Sequence, residues 1–336
     1  MSRRFVMLDP SVRRLRHPVA GRRKRVSRRA FLRDVVYCGK KGTTNMANSR
    51  RDFLKGAAWI GATAIAAGLL AQAASAAEVR EFAVRSAAME KDVPVTVVFP
   101  KDYAGGTSRY PVAYLLHGHG GDHREYLEKT GKIEEAVDRY GFIAVCPDGI
   151  VSSWWVDSPV DPKVRYETFV AKELVAWADA NLRTVPDRAK RAIAGASMGG
   201  YGAMTIGCVH KDVFGAIGSI HGGVELRPFA HNWDIAKRLD PEKRLGRVWD
   251  DFSAITKARD VRNGELEILM VIGTADQFFL QGNRKLHELF ILNDVAHTYV
   301  EIRGKDEVSS AHNFTFQAIG EIEVYRFLDA FFRGRE

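Results

Sequence analysis

The chain has 336 residues, of which 46% are hydrophobic, and its formal net charge is +9 at pH 7. This length allows one large domain or two small ones, and the composition is that of a globular protein with a sizeable core. The charge is unevenly placed, because residues 1–76 contain 17 lysines and arginines against 3 acidic residues, whereas the rest of the chain is net acidic. The basic excess therefore belongs to the N-terminal segment, and the body of the chain is not expected to bind nucleic acid.

The first predicted feature is an export signal within residues 46–76. Arg50 and Arg51 open the pattern SRRDFLK, a mildly apolar run follows over 56–70, and the small residues ASA at 74–76 form a cleavage site. As a helix the apolar run would be roughly 22 Å long, short of the ~30 Å hydrocarbon core of a bilayer. A cleavable signal therefore fits better than a permanent membrane span. Because the pattern resembles a twin-arginine signal, the twin-arginine export machinery is an expected partner and the expected location is periplasmic or secreted.

The segment before this signal, residues 1–45, is expected to carry no fold. We interpret it as an upstream extension from a misplaced start, with Met46 as the true initiator. The mature chain is then about 77–336, which is the size of one domain. Its two cysteines, Cys146 and Cys208, lie in apolar surroundings, which predicts buried free thiols.

Strands and helices alternate along the mature chain. Runs that are apolar at alternate or at all positions predict strands, and apolar residues spaced by three and four predict helices. In chain order the predicted elements are strands at 79–89, 93–100 and 110–118, a helix near 124–140, a strand at 142–149, a helix at 166–182, a strand at 191–197, a helix from 199, strands at 216–222 and 266–276, a helix from 280, a strand at 297–304 and a helix from 313. This order predicts an α/β class with a mostly parallel central sheet flanked by helices. The stretch 223–265 interrupts the alternation, and we interpret it as an insertion that forms a lid or a pocket wall.

A nucleophilic serine is predicted in the string GASMG at 195–199. Ser197 lies directly after a predicted strand and before a predicted helix, with a glycine two positions away on each side. A nucleophile held on a sharp strand-to-helix turn needs small neighbours, because the turn brings the two backbones close together. Its hydroxyl also needs a base and an acid that orients the base; in this architecture the acid follows the next-to-last strand and the histidine follows the last. Asp276 and His312 occupy those two places.

The string HGHGGDH at 117–123 has two interpretations. Zinc hydrolases of the metallo-β-lactamase type carry H-x-H-x-D-H, but here one extra residue precedes the aspartate, so no metal is expected. The second interpretation is a turn after an early central strand, which supplies one N–H of an oxyanion hole. We nominate the amide of His119 as that donor and the amide of Met198, next to the nucleophile, as the other. Asp122 and His123 are expected to fix the loop by local hydrogen bonds.

A substrate pocket is expected around the ends of these predicted strands. Aromatic residues follow one strand end and flank the predicted acid and base, and a histidine ends the strand after the nucleophile; the candidates are Trp154, Trp155, His221, Phe278, Phe279 and Phe314. Such side chains line apolar acyl or aryl pockets, although each aromatic residue is equally well explained as an ordinary core residue. For His221 the core interpretation is the preferred one.

Five regions together carry a resemblance to a known family, and they contain the strings YLLHGHGGDHREY, WWVDSP with YETFVAKELV, GASMGGYGAM, GTADQF and AHNF. Over roughly 90–332 the chain resembles the putative-esterase (esterase D-like) family of α/β-hydrolases. The resemblance implies the α/β-hydrolase fold and no cofactor. It also implies the same five functional groups, which are the nucleophile Ser197, the orienting acid Asp276, the base His312 and the oxyanion-hole amides of His119 and Met198.

Three functions remain open at this point. The first is an exported serine carboxylesterase that acts on small acyl or aryl esters, including hydroxycinnamoyl esters. The second is an acyltransferase that moves an acyl group to a sugar or lipid hydroxyl with the same triad, as the mycolyltransferases of the family do. The third is an esterase-like scaffold that only binds, which the complete set of Ser, Asp and His disfavours. The insertion at 223–265 matches no one subfamily, and export disfavours a formylglutathione hydrolase.

Overall fold

The computed structural model describes residues 77–242 and 246–334, together with the backbone of residues 12–16. Within these residues the strands are β1 (Val12–Arg16), β2 (Glu78–Ser86), β3 (Lys91–Phe99), β4 (Val112–Leu116), β5 (Ile143–Pro147), β6 (Arg191–Ala196), β7 (Ala216–Ile220), β8 (Glu267–Gly273) and β9 (Thr298–Ile302). They form a single sheet in the order β1-β9-β8-β7-β6-β4-β5-β3-β2.

The central part of this sheet is parallel and its two edges are antiparallel. β4 pairs in parallel with β5 and β6, and the parallel pairing continues from β6 through β7 and β8 to β9. β2 and β3 form an antiparallel edge beside β5, and β1 pairs antiparallel with β9. The predicted α/β class with a mostly parallel sheet is confirmed.

Helices connect the strands and cover both faces of the sheet. The α-helices are α1 (Ile133–Tyr140), α2 (Tyr166–Thr168), α3 (Val175–Asn181), α4 (Met198–Val209), α5 (Ile235–Leu239), α6 (Arg247–Asp251), α7 (Ala254–Lys257), α8 (Leu280–Leu292) and α9 (Phe314–Arg333). A π-helical section, Phe169–Leu174, joins α2 to α3, so the helix predicted at 166–182 is one continuous element.

Two hydrophobic cores lie on opposite faces of the sheet. α1 and α9 cover one face, where they bury side chains such as Val137, Phe316 and Leu328. α3, α4 and α8 cover the other face, in a larger core that includes much of the insertion. β4, β5, β6 and β7 are buried at every position, as expected for central strands that are covered on both sides.

The insertion predicted at 223–265 is built from short helices. Its described residues contain α5, α6 and α7 and two 3₁₀ turns, Arg227–Phe229 and Ala258–Asp260. Trp249 and Leu239 are buried within it, and α7 packs on α4, the helix that follows the predicted nucleophile. The insertion is therefore a packed layer beside the site.

The predicted N-terminal features mostly fall on residues that are not described. The export signal at 46–76 lies outside the described residues. Residues 1–45 were expected to carry no fold, but within them the structure describes β1, which pairs with β9. Among the described residues, no helix combines the length and the apolar character that crossing a bilayer requires. Cys146 and Cys208 are free and buried, as predicted.

Candidate active site

Ser197 lies on a strained turn between β6 and α4. Its backbone has φ 56° and ψ −114°, a conformation that residues other than glycine rarely adopt. The Ser197 amide donates to the carbonyl of Ile220 on the neighbouring strand at 2.9 Å, which holds the turn against the sheet. A Cβ at Gly199 would overlap the carbonyl of Leu116, so the close approach of strand and helix requires glycine there. Strain of this kind, between a strand and a helix, is typical of a nucleophile turn.

The three predicted triad residues lie in hydrogen-bond contact. Ser197 Oγ is 2.8 Å from His312 Nε2, and His312 Nδ1 is 2.8 Å from Asp276 Oδ2. Asp276 follows β8, and His312 lies after β9 and just before α9. Because successive parallel strands end at the same edge of the sheet, residues 115 positions apart in the chain meet there.

The Asp276 carboxylate is buried and has a partner for each oxygen. Oδ1 accepts hydrogen bonds from the amides of Phe278 and Phe279, both at 2.9 Å, whereas Oδ2 faces His312. A carboxylate only accepts when ionised, so His312 Nδ1 carries the ring proton and Nε2 is left to accept from the serine hydroxyl. This is the tautomer that a general base requires.

The two nominated oxyanion donors lie on segments that meet at Ser197. Met198 opens α4 next to the serine, and its sulfur accepts a hydrogen bond from the amide of Trp154 at 3.3 Å. His119 lies in the loop after β4, and this loop passes so close to the serine that a Cβ added at Gly118 would be 3.5 Å from Ser197 Cβ. The loop therefore passes close to Ser197, as the nomination of His119 requires.

Local hydrogen bonds fix this loop at the predicted positions. Asp122 Oδ1 accepts from the amide of Arg124 at 2.8 Å, and His123 Nδ1 lies 2.7 Å from Thr96 Oγ1 on β3. The loop is thus tied both to itself and to the sheet.

His221 stacks on His312. Their ring centroids are 4.2 Å apart with an angle of 30° between the ring planes, and His221 is 2% exposed. The pKa of His221 is well below its ordinary value, mainly because the ring is buried and to a smaller extent because His312 is close. The ring is therefore neutral at pH 7. His221 Nδ1 makes no hydrogen bond within the described part of the chain.

The same group of side chains also has the composition of a metal site. One ligand atom from each of His221, Asp276 and His312 lies within 4.8 Å of the others. However, stacked imidazoles direct their in-plane lone pairs side by side rather than toward one point, and Asp276 and His312 are already hydrogen-bonded to each other. The arrangement suits proton transfer at Ser197 better than tetrahedral coordination.

The predicted pocket residues have different environments. The rings of Phe278 and Phe279 contact His312, with centroids 5.8 and 5.1 Å away. Trp154 is buried edge-on against Tyr201, and Phe314 is 47% exposed. Trp155 has no exposed surface; it lies in the core, where its Nε1 donates to the carbonyl of His117.

Comparison with known families identifies the class of protein. Residues 86–319, well over half of the chain, match the family described as Putative esterase. The chain belongs to this esterase family. The resemblance carried by the sequence motifs is thereby confirmed.

Relatives of this chain match it over parts of their length. Esterase Rv1288 of Mycobacterium tuberculosis is 36% identical over 136 residues, 40% of this chain and 30% of the relative. The MPT51/MPB51 antigen of Mycobacterium bovis is 32% identical over 177 residues, 51% of this chain and 56% of the antigen. The matches thus span about a third to just over half of these curated relatives. A solved ferulic acid esterase is 23% identical with a TM-score of 0.63, covering 77% of this chain and 99% of its own, and it confirms the predicted α/β-hydrolase fold.

Two aromatic residues of the insertion lie beside the site, although the sequence analysis did not name them. The Trp233 ring meets Phe278 edge-to-face at 5.2 Å, and the Phe229 ring meets Phe279 at 5.3 Å. Trp154 Nε1 donates to the carbonyl of Trp233 at 2.9 Å. No signal in the sequence pointed to them, because the aromatic content of 223–265 is close to that of the whole chain and does not indicate which ring lies near Ser197.

Proposed function

We propose that this esterase-family protein is a serine carboxylesterase that hydrolyses small acyl or aryl esters through an acyl-enzyme. The observation that carries the proposal is the continuous hydrogen-bonded series from Ser197 through His312 to Asp276, with both contacts at 2.8 Å. The family match supports the same chemistry.

Each step of the proposed reaction has a group to perform it. His312 Nε2 takes the hydroxyl proton as Ser197 Oγ attacks the ester carbonyl, and Asp276 stabilises the resulting imidazolium. The amides of Met198 and His119 stabilise the oxyanion that forms on the carbonyl oxygen. Collapse of this intermediate expels the alcohol, which receives the proton from His312, and leaves an acyl-serine. Water deprotonated by the same imidazole then attacks the acyl group, releases the carboxylic acid and restores the serine.

The aromatic surroundings of His312 favour esters of aryl or hydroxycinnamoyl acids. The partly buried rings of Phe278, Trp233 and Phe229 contact one another edge-to-face or at a tilt. An aromatic acyl group gains both burial and ring contacts against such a wall. The ferulic acid esterase that shares this fold is named for an ester of that kind.

The Ser197→Ala variant tests the nucleophile. We expect its turnover of p-nitrophenyl and hydroxycinnamoyl esters to fall on the order of 10⁶-fold, the scale seen when a triad nucleophile is lost. A fluorophosphonate probe should label the wild type and a Ser108→Ala control, in which an exposed serine is changed, but not Ser197→Ala. Turnover near the wild-type rate in Ser197→Ala would place the chemistry elsewhere.

The acceptor of the acyl group separates hydrolysis from transfer. An acyl-serine reacts with any hydroxyl that reaches it, so the same triad would serve an acyltransferase. Offering the trapped acyl-enzyme water and a sugar such as trehalose distinguishes the two, since a hydrolase releases free acid and a transferase forms the acyl sugar. A scaffold that only binds would form no acyl-enzyme.

We further propose export by the twin-arginine route, on the strength of the SRRDFLK string and the apolar run behind it. Arg50→Lys combined with Arg51→Lys should leave the protein in the cytoplasm of a bacterial host, whereas cell fractionation should recover the wild type from the periplasm. The matched control changes Arg28 and Arg29 to lysine in the upstream SRRAFLR string, which lacks an apolar run, and should export normally. Normal export of the Arg50 and Arg51 variant would refute this route.

A further inference from the structure

A buried carboxylate, Glu125, lies beneath the loop that carries the His119 amide. The residue is 3% exposed, and its Oε1 accepts a hydrogen bond from the amide of Gly118 at 3.1 Å. The same oxygen accepts from Gln317 Nε2, also at 3.1 Å. Gln317 belongs to α9, the helix that begins two residues after His312. Glu125 thus links the loop with the proposed oxyanion donor to the helix that follows the proposed base.

Hydrogen bonds to its carbonyl oxygen hold the peptide group between residues 118 and 119 in place. The Gly118 oxygen accepts from the amide of Gly121 at 3.1 Å and lies 2.7 Å from His117 Nδ1. His117 Nε2 accepts from the amide of Gly149 at 2.7 Å, so Nδ1 carries the ring proton and donates to that oxygen. In a planar trans peptide, fixing the oxygen directs the N–H of His119 to the opposite side.

Glycine at 121 leaves the space that the carboxylate occupies. A Cβ there would overlap Glu125 Oε2 and would lie 3.1 Å from His117 Nδ1. The φ of Gly121 is outside the left-handed region, so the close approach of the carboxylate, and not the backbone conformation, requires glycine. One glycine of the HGHGG string is therefore explained by Glu125 rather than by the substrate.

We propose that Glu125 is a positioning residue of the oxyanion hole. By holding the amide of Gly118 it fixes the 117–118 peptide group, which adjoins the 118–119 group that supplies the His119 N–H, and it does so without touching the substrate. This inference rests on the proposed esterase function. Removing an oxyanion donor outright costs about 10²–10³ in kcat, so a donor that is present but misdirected should cost roughly 10–100-fold.

Glu125→Met tests the role, because methionine fills similar space without accepting a hydrogen bond from Gly118. We expect kcat for a p-nitrophenyl ester to fall roughly 10–100-fold while KM changes little, since the donor acts on the transition state. The affinity for a boronic acid, whose adduct with Ser197 places an oxygen in the oxyanion hole, should weaken by a similar factor. If Glu125 had a purely structural role, its replacement would lower thermal stability without a selective fall in kcat and in boronic-acid affinity.

Two further variants complete this comparison. Glu125→Gln keeps an acceptor oxygen and should recover most of the kcat that Glu125→Met loses. Glu128→Met makes the same change at an exposed carboxylate of the same segment and should match the wild type.

A second substitution tests the same proposal if the Glu125→Met protein does not fold. Gly121→Ala displaces the carboxylate without removing it and should lower kcat in the same selective way, whereas Gly105→Ala, whose added Cβ meets no neighbour, should not. Folded Glu125→Met or Gly121→Ala protein with kcat and boronate affinity within about threefold of the wild type would overturn the proposal. If Ser197→Ala retained activity, the esterase mechanism itself would fail; if Ser197→Ala is inactive and Glu125→Met is not, the positioning role alone is refuted.

Discussion

The two carboxylate oxygens of Asp276 have different hydrogen-bond partners, and this leads to a specific prediction for Asp276→Asn. The amides of Phe278 and Phe279 need an acceptor, so the asparagine oxygen is expected to stay with them and the new NH₂ group to face His312. His312 must then accept at Nδ1 and carry its proton on Nε2, where it is unable to take the proton of Ser197. We expect kcat to fall on the order of 10⁴-fold without loss of folding.

This prediction is checked by steady-state kinetics on p-nitrophenyl esters, with circular dichroism as the measure of folding. Asp294→Asn is the control, since Asp294 is an exposed carboxylate after α8 and the same chemical change there should leave kcat unaltered. A kcat for Asp276→Asn within about tenfold of the wild type would mean that this carboxylate does not set the tautomer of His312.

The order of elements along the chain was enough to nominate Ser197, Asp276 and His312. Each of them follows a strand, and the carboxyl ends of parallel strands lie at the same edge of the sheet. The order of elements was not enough to place His221. Its ring stacks on His312 because the backbone at His221 turns into a left-handed conformation, with φ 36°, as β7 ends. No hydrophobic periodicity signals such a turn, so the sequence favoured the core interpretation of His221 over the pocket interpretation.

At the scale of elements, the spacing of the apolar residues predicted whether each element is a helix or a strand. It predicted less well where each element begins and ends, and which strands lie side by side in the sheet. The helix predicted near 124–140 is divided into a π-helical turn, Tyr126–Thr130, and α1, because Gly131 takes a left-handed φ of 61° and ends the first turn. The strand order across the sheet depends on long-range packing. Nothing within a single strand indicates that β6 lies beside β4 rather than β5.

The insertion makes a testable contribution to the site through Trp233. Its ring meets Phe278, which in turn contacts His312, so we expect it to bind an aromatic acyl group and to matter little for an acetyl group. Trp233→Leu should lower kcat/KM for a hydroxycinnamoyl ester roughly tenfold more than kcat/KM for p-nitrophenyl acetate. Trp177→Leu is the control, since that tryptophan packs on Phe82 at β2. Equal losses for both esters in Trp233→Leu would show that the insertion does not select the acyl group.

At the scale of the whole molecule, α9 connects the site to the buried interior. Gln317, Glu321 and Tyr325 follow one another at intervals of four residues, so they share one face of the helix. Glu321 is fully buried and accepts hydrogen bonds from Thr130 Oγ1 at 2.8 Å, from Gln317 Nε2 at 3.2 Å and from Tyr325 OH at 3.3 Å. The carboxylate beneath the proposed oxyanion loop and this second carboxylate therefore belong to one network, in which Gln317 donates to both.

This network should make the stability of the protein depend on pH through Glu321. Burial raises the pKa of Glu321 from 4.5 to about 7, against the opposing effect of its three hydrogen-bond donors, and the nearby Glu125 adds to the rise. The folded protein then holds this proton more tightly than the unfolded chain. Its contribution to stability is complete below pH 4.5 and is lost as the pH rises toward 7, a loss of order 3 kcal/mol.

Glu321→Gln removes this titration, because glutamine is neutral at every pH. The quantity to measure is the free energy of unfolding of the variant minus that of the wild type, obtained from urea denaturation. This difference should be up to about 3 kcal/mol more favourable to the variant at pH 8 than at pH 5. Glu288→Gln, at an exposed position on α8, should show no such shift. A difference between wild type and Glu321→Gln that stays constant from pH 5 to pH 8 would mean that Glu321 is ionised throughout. Its three donors would then outweigh burial, and the network would hold a permanent charge next to Glu125.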